Sequence, residues 1–345
     1  MKIGFFLNFE KSLGGGHFWR CLNLAKKLKK SGREFYFFSN IKDKNFLALL
    51  KKNNFKYIKI FEKKKKKFLK ELIQKIEYLK IKNLITDSYR IDYFDEKKIK
   101  TVTKKLIVID DHVNNKHYCD LFINNNFLSN KSKNIIKKKN PNTNLAIGHR
   151  FTILPTSNPY SKYKKKVFND IKNIFIFFGS SDNTDETSKI FKIVSLFPSL
   201  KFHIIIGNFN KNNLKFKKLN KLNNNTKIYF NQKNKNIMSL MRNSDLAIGA
   251  GGVNMIERLY LGLPSLIIRV ASNQKNGTEY LIKKNSILYI GESKNVTPEK
   301  IQINLKRLLK NKKTFEKLQK NTYKTSLHLN SDDLITKKMN SVLVK

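Results

Sequence analysis

The stretch GGGHFWR, Gly14 to Arg20, runs three glycines into a histidine, and a helix-like pattern follows at once. A dinucleotide fingerprint would need glycine at position 19, where Trp19 stands, and an acid closing the next strand, where EFYFFSN ends in Ser39 and Asn40. What remains is a glycine turn that lets a ligand approach the backbone closely, with His17 at a helix start. The helix dipole there disfavours imidazolium, so His17 is expected to be neutral at about pH 7. A neutral imidazole is a competent general base. The competing reading is a tight turn with an incidental histidine.

Anion chemistry is written more specifically into IGAGGVNMIERLYLGLPSL. Ile248 closes a strand, Gly249 to Gly252 form a turn, and a helix begins near Val253, whose free N–H groups make a phosphate site. Glu257 lies about one helical turn inside, within reach of ribose hydroxyls. In FFGSSDNTDET, Gly179, Ser180 and Ser181 offer backbone and hydroxyl donors to a phosphate, and Asp182 can cap the following helix. Asn273 and Gln274 follow the strand-like PSLIIRV; their amides can donate to a pyrophosphate or a sugar, or only close the turn. LITDSYRID places Asp87 and Tyr89 at another strand end. LIVIDDHVNNKHYCDLFINNN crowds Asp110, Asp111, His112, His117, Cys119 and Asp120, at spacings that match no zinc pattern. Carboxylates shaping a cleft are the expectation there.

The elements that must carry these residues alternate between strand and helix. KIGFFLNF, EFYFFSN, NLITDS, LIVIDD and DLFINNN read as strands, with helices at 17–30, FLALLKK, FLKELIQKIEYLKI and DEKKIKTVT between them. The second half repeats this alternation, with NIFIFFG, KFHIIIG, KIYFN, LAIGAGG and PSLIIRV as strands and helices at 183–197, NIMSLMRNS, NMIERLYLG and GTEYLIKK. Such a pattern makes parallel sheets covered on both faces by helices. Two α/β domains are implied, parted near LPTSNPYSKYKKK, where Pro155 and Pro159 punctuate a polar stretch. From Pro298 the chain reads as helical and amphipathic. Ligands of such sheets bind beyond the carboxyl ends of the strands, where every stretch above falls.

Composition sets the outer limits. With 345 residues, 40% hydrophobic and including 26 Phe and 13 Tyr, the chain can build two sizeable cores. No run reaches about 18 apolar residues, so no membrane insertion is expected. The short IGFFL reads as a first strand and not as a signal peptide. Two cysteines give no disulfide framework. A net charge of +46 would ordinarily point to nucleic acid. Yet only 8 of the 71 basic residues are arginine, and the lysines are dispersed with Asn, Ile and Phe. That is solvation of the surface, without the bidentate Arg contacts that nucleic-acid readers need. No specific nucleic-acid partner is expected. A cytoplasmic monomer is.

Taken together, these stretches resemble the nucleotide-sugar hydrolases of pseudaminic acid biosynthesis, the PseG family, relatives of MurG-type glycosyltransferases with the GT-B fold. GGGHFWR resembles the family's glycine–histidine–x–x–arginine loop. ITDSYRID resembles its strand ending in Asp–x–Tyr, and IDDHVNNKHYCDLFINNN its Asp–Asp segment with a downstream His–x–Cys–Asp and an Asn-rich strand. FFGSSD stands where Gly–Gly–Thr–Asp is usual. GAGGVNMIERLYLGLPSL and Asn273–Gln274 complete the set, in order, over most of the chain. After AIGHRFTIL the family's acidic and aromatic continuation is replaced by PTSNPYSKY.

The resemblance implies a GT-B-like α/β architecture: two Rossmann-like domains with parallel sheets facing a central cleft. Residues 1–154 would carry the histidine loop, 155–166 the linker, and 167–345 a UDP-binding domain with a terminal helical region. The implied reaction is hydrolysis of UDP-2,4-diacetamido-2,4,6-trideoxy-β-L-altropyranose to UDP and free sugar, on the way to a nonulosonic acid for cell-surface polysaccharide or flagellin glycosylation. His17 would deprotonate the water. Gly15, Gly16, Arg20, Tyr89, Asn273 and Gln274 would bind the sugar and phosphates. Gly179, Ser180, Ser181, Gly251, Gly252, Val253 and Glu257 would bind UDP, with Glu257 on the ribose. Neither a metal nor another cofactor is implied. The alternatives are a transferase of the same fold that delivers the sugar to an acceptor, a lysine-rich nucleic-acid-binding protein, and a non-catalytic sugar-nucleotide binder.

Overall fold

The structure is a computed structural model that describes residues 1–8, 16–29, 32–61, 64–154, 170–219, 224–230, 232, 234–329 and 332–343. Gly14, Gly15 and the expected linker 155–166 lie outside the described residues. The chain divides into two compact units.

The first unit is built on seven parallel strands: β1 (Lys2–Leu7), β2 (Glu34–Ser39), β3 (Lys56–Lys59), β4 (Asn83–Asp87), β5 (Lys105–Ile109), β6 (Leu121–Asn124) and β7 (Asn144–Ile147). Their order in the sheet is β3-β2-β1-β4-β5-β6-β7. The helices of this part are α1 (Gly16–Leu28), α2 (Lys44–Lys52), α3 (Lys65–Tyr78), α4 (Tyr93–Lys100) and α5 (Asn130–Lys139). Central strands buried on both faces read as unbroken apolar runs. In β1 every residue after Lys2 is buried, and in β4 all five are. Phe5 and Phe37 stack across β1 and β2 with centroids 5.0 Å apart. Helix starts are set by short polar side chains: Asp43 caps α2, and Asp92 and Asp95 form a capping box on α4.

The second unit has six parallel strands: β8 (Asn173–Phe177), β9 (Lys201–Ile206), β10 (Thr226–Phe230), β11 (Leu246–Ala250), β12 (Ser265–Arg269) and β13 (Leu288–Glu292). Their order is β10-β9-β8-β11-β12-β13, the doubly wound Rossmann arrangement. Its helices are α6 (Glu186–Phe191), α7 (Asn213–Leu219), α8 (Asn234–Arg242), α9 (Val253–Tyr260), α10 (Lys275–Lys283), α11 (Pro298–Lys310) and α12 (Lys312–Leu327). Ile174, Ile176, Ile204, Ile248, Leu266 and Ile268 form the centre of its core, and Ile301, Leu305 and Leu308 of α11 cover it.

Strands β3, β7 and β13 are additional to those read from the sequence, and two expectations are corrected. The helix expected over 183–197 is split into α6 and a 3₁₀ turn at Val194–Leu196. Asp182 and Asp185 take left-handed φ values of 42° and 54°, which delays the helix start. The sequence expectation also carries the second domain to residue 345. Instead α13 (Asp332–Leu343) belongs with the first unit, touching α1 and the 3₁₀ turn at His149–Phe151. Ile335, Met339, Val342 and Leu343 are its buried side chains. Amphipathic spacing reveals an apolar face but not which sheet it covers. Among the described residues no helix is long and apolar enough to cross a membrane.

Candidate active site

In both sheets the strand order reverses between two neighbouring strands, β1 and β4 in the first and β8 and β11 in the second. Beyond their carboxyl ends lies the crevice where open α/β sheets take their ligands.

In the first unit β4 delivers Asp87 to this point, paired in register with Leu7 of β1 and fully buried. α1 begins at Gly16, so His17 and Arg20 are three residues apart on one helix face. Both turn onto Asp87. His17 Nδ1 lies 2.6 Å from Asp87 Oδ1. Arg20 donates from Nε to Asp87 Oδ2 at 2.8 Å and from Nη2 to Asp87 Oδ1 at 2.6 Å. Its Nη1 donates to Asp111 Oδ1 at 2.7 Å, two residues past the end of β5. The Tyr89 hydroxyl donates to Asp111 Oδ2 at 2.9 Å, and Asn126 Nδ2 to Asp111 Oδ1 at 2.9 Å. The Tyr89 ring stands edge-on to His17, centroids 4.9 Å apart. A bidentate guanidinium between two carboxylates is rigid in a way one lysine could not be.

The electrostatics follow from that geometry. Burial alone would raise the Asp87 carboxyl; the charges of Arg20 and His17 overcome it and hold it well below the usual carboxylate range. Burial alone would lower His17, but the charge of Asp87 and its hydrogen bond outweigh that, and its pKa is raised. The expectation of a helix-dipole-neutralised imidazole is therefore corrected: a buried carboxylate 2.6 Å away acts on the ring more strongly than the helix end. Because Nδ1 faces a carboxylate, the neutral ring carries its proton there, and Nε2 has the lone pair. Nδ1 is thus committed to Asp87. The arrangement can take a proton at Nε2 and have the resulting charge met by Asp87. Arg20, expected as a substrate contact, spends its donors on Asp87 and Asp111 and so orients.

Asp110 faces elsewhere. It accepts from His112 Nδ1 at 2.8 Å and from Asn115 Nδ2 at 2.6 Å. His117 Nδ1 lies 2.7 Å from Glu96 Oε1 of α4, and His117 Nε2 lies 3.5 Å from Asp110 Oδ2. Burial opposes a charge on His117, but the two carboxylates push its pKa up to about 9. This ion pair clips α4 to the loop before β6. Among the described residues no group of three His, Cys, Asp or Glu could hold a metal ion.

In the second unit β8 leads into Gly179, whose φ of +96° only glycine adopts without strain. Ser180 and Ser181 follow, partly exposed. The Asp182 carboxylate accepts from the N–H groups of Glu186 at 3.0 Å and Thr187 at 2.9 Å, so it does serve the start of α6. At the end of β11 the turn passes through Gly251 and Gly252 into α9, which no side chain caps. Met255 N–H bonds back to the Gly252 carbonyl at 2.9 Å, so among the described residues the N–H groups of Val253 and Asn254 are those left for an external acceptor. Gln274 Oε1 accepts from Gly251 N–H and Val270 N–H, each at 3.1 Å, closing the turn. Gly251 is required there, because a Cβ would lie 2.7 Å from Thr278 Cγ2. Asn273 is exposed in the 3₁₀ turn at Ser272–Gln274, and Val253 is exposed at the start of α9. Glu257 is buried; burial pushes its carboxyl up to about 7, against Arg258 and a hydrogen bond from Asn254.

Residues 173–334 match the model of the glycosyltransferase family 28 C-terminal domain. The solved structure of MurG from Acinetobacter baumannii superposes with a TM-score of 0.63 at 14% identity, covering 99% of this chain and 100% of that one. The fold is thus GT-B: two Rossmann-like α/β units with parallel sheets, and the chain is glycosyltransferase-like. Among curated proteins, an uncharacterized protein of Methanocaldococcus jannaschii is 27% identical over 85% of this chain, which spans 61% of that relative's length. The UDP-2,4-diacetamido-2,4,6-trideoxy-beta-L-altropyranose hydrolase of Campylobacter jejuni is 27% identical over 62% of this chain and 76% of its own.

Sequence reasoning alone does not find the bonds of Asp87 and Asp111 to Arg20, or the contact of Asn126. The acidic strand ends and the NNN run are visible, but their pairing spans up to 91 residues. Arg258 escapes it altogether. It sits fully buried, and a charge flanked by Ile256 and Leu259 is its signal.

Proposed function

We propose that the protein hydrolyses a UDP-linked sugar, UDP-2,4-diacetamido-2,4,6-trideoxy-β-L-altropyranose, to UDP and free sugar. The observation that carries this reading is the His17–Asp87–Arg20–Asp111 constellation, an imidazole oriented through Nδ1 with Nε2 left to act. His17 Nε2 takes a proton from water as the water oxygen bonds to the anomeric carbon. The bond from that carbon to the phosphate oxygen breaks, and UDP leaves with the electron pair. The N–H groups that open α9 and the turn at Gly179–Ser181 meet the diphosphate charge. Glu257 sits one turn deeper, on the side of the ribose. Tyr89 bounds the sugar site beside His17, and Asn273 offers an exposed amide.

The identity to the Campylobacter hydrolase supports both the substrate and water as the acceptor, and the histidine constellation supports a general base, which either acceptor needs. The match to the family 28 domain favours the second reading, transfer of the sugar to another acceptor. NMR of the purified protein with the diacetamido sugar nucleotide separates the two. UDP and free sugar accumulating without an acceptor are expected; UDP appearing only on addition of an acceptor would overturn hydrolysis.

A further inference from the structure

Among the described residues the largest fully buried side chain is a charged one, Arg258 of α9. Its Nη2 donates to the Ala250 carbonyl at 2.7 Å. Its Nε and Nη1 are buried and, among the described residues, have no hydrogen-bond partner. Gly249 makes room for it: a Cβ there would lie 2.5 Å from Arg258 Nη1 and 2.5 Å from the Phe177 carbonyl oxygen. The guanidinium therefore lies by the ends of β8 and β11, directly behind the glycine turn. Glu257, its neighbour, does not neutralise it by a bond, since that carboxylate is held by Asn254. Burial lowers Arg258 to about 10, which leaves it charged at neutral pH.

A guanidinium buried without a bonded carboxylate is destabilising, and an apolar side chain of similar volume would serve the core better. Its place must be justified by an anion outside the core. The bond to Ala250 has a second effect. A trans peptide points its C=O and N–H in opposite directions. Drawing the Ala250 carbonyl onto Arg258 turns the Gly251 N–H away from it, onto Gln274, and so sets the turn that opens α9.

We propose that Arg258 is a positioning residue for the nucleotide diphosphate, ordering the 250–252 turn from behind and attracting the anion through it. This rests on reading that turn as the diphosphate site. The test is calorimetric titration of wild type, Arg258→Met, Arg258→Gln and Arg258→Lys with UDP and with uridine, at fixed salt. Loss of the cation behind the turn weakens UDP by about tenfold or more, while uridine changes by less than about twofold. Arg258→Lys recovers part of the difference. A merely structural role would move UDP and uridine together. Arg258→Gln keeps a donor for Ala250 and decides the matter where Arg258→Met does not fold. An unchanged ratio of uridine to UDP affinity in the neutral variants, with wild type preferring UDP, overturns the role of Arg258 alone. A wild type with no preference for UDP overturns the diphosphate site and this inference together.

Discussion

The two units share one winding and use it in opposite ways. In each sheet the first strand and the fourth are neighbours, and the chain leaves both towards the same edge. The first unit fills that edge with charge: Asp87, Arg20, Asp111 and His17 are bonded to one another at 2.6 to 2.8 Å. The second leaves it bare, with glycines at 179, 251 and 252, an uncapped helix, and Arg258 pulled behind the turn. Topology gives the place where a ligand can be met. Side chains decide whether that place handles protons or anions. A base needs a fixed, polarised ring; a phosphate needs backbone N–H groups that nothing else has taken.

The contrast between the two units depends most on His17. Replacing it with alanine is expected to lower kcat by about 10³-fold, within the range for a general base, while UDP affinity measured by calorimetry stays unchanged. Weakened UDP binding in that variant would put the ring on the nucleotide and erase the division of labour. The matching change in the second unit is Gly251→Ala, whose Cβ meets Thr278. It is expected to weaken UDP by about tenfold, as a distorted anion site does, with kcat at saturating substrate changing less.

The smallest effect sharpens the first unit alone. Asp87 raises the His17 pKa above 6.5, and the proposed mechanism needs the neutral ring. The pH profile of kcat/KM should therefore rise with an inflection above 6.5, and Asp87→Asn should move it down. Stability runs the other way. The folded state holds the His17 proton more tightly, so this contribution is full below the unfolded value of about 6.5 and fades as pH rises through the folded one. Thermal unfolding across that window checks the sign. An inflection unmoved in Asp87→Asn would assign it to another group.

Much of the fold is legible in the sequence because its signals are local. Buried strands such as β1 and β4 read as apolar runs, and glycine turns after β8 and β11 announce strand-to-helix junctions. His17 at a helix start and Arg20 one turn on can also be placed from spacing. The rest depends on distance through space. The link from His17 to Asp87 crosses 70 residues, and only the pairing of β1 with β4 creates it. The protonation of His17 is misjudged from sequence for that reason, since the helix end is visible there and its carboxylate partner is not. Arg258 hides differently: the apolar Met255, Ile256 and Leu259 around it are its one local signal, and nothing in the sequence shows what its charge would face.

The return of α13 to the first unit sets an order of assembly. The sheet that carries His17 is synthesised before the second unit, yet it lacks a helix until α13, which follows that unit, arrives. At about 5–20 residues per second, the stretch between β7 and α13 keeps the ribosome busy for about 10–40 s. Through that interval the partners of Ile335 and Met339 on the first unit wait uncovered, and the whole second unit is synthesised before the first can close.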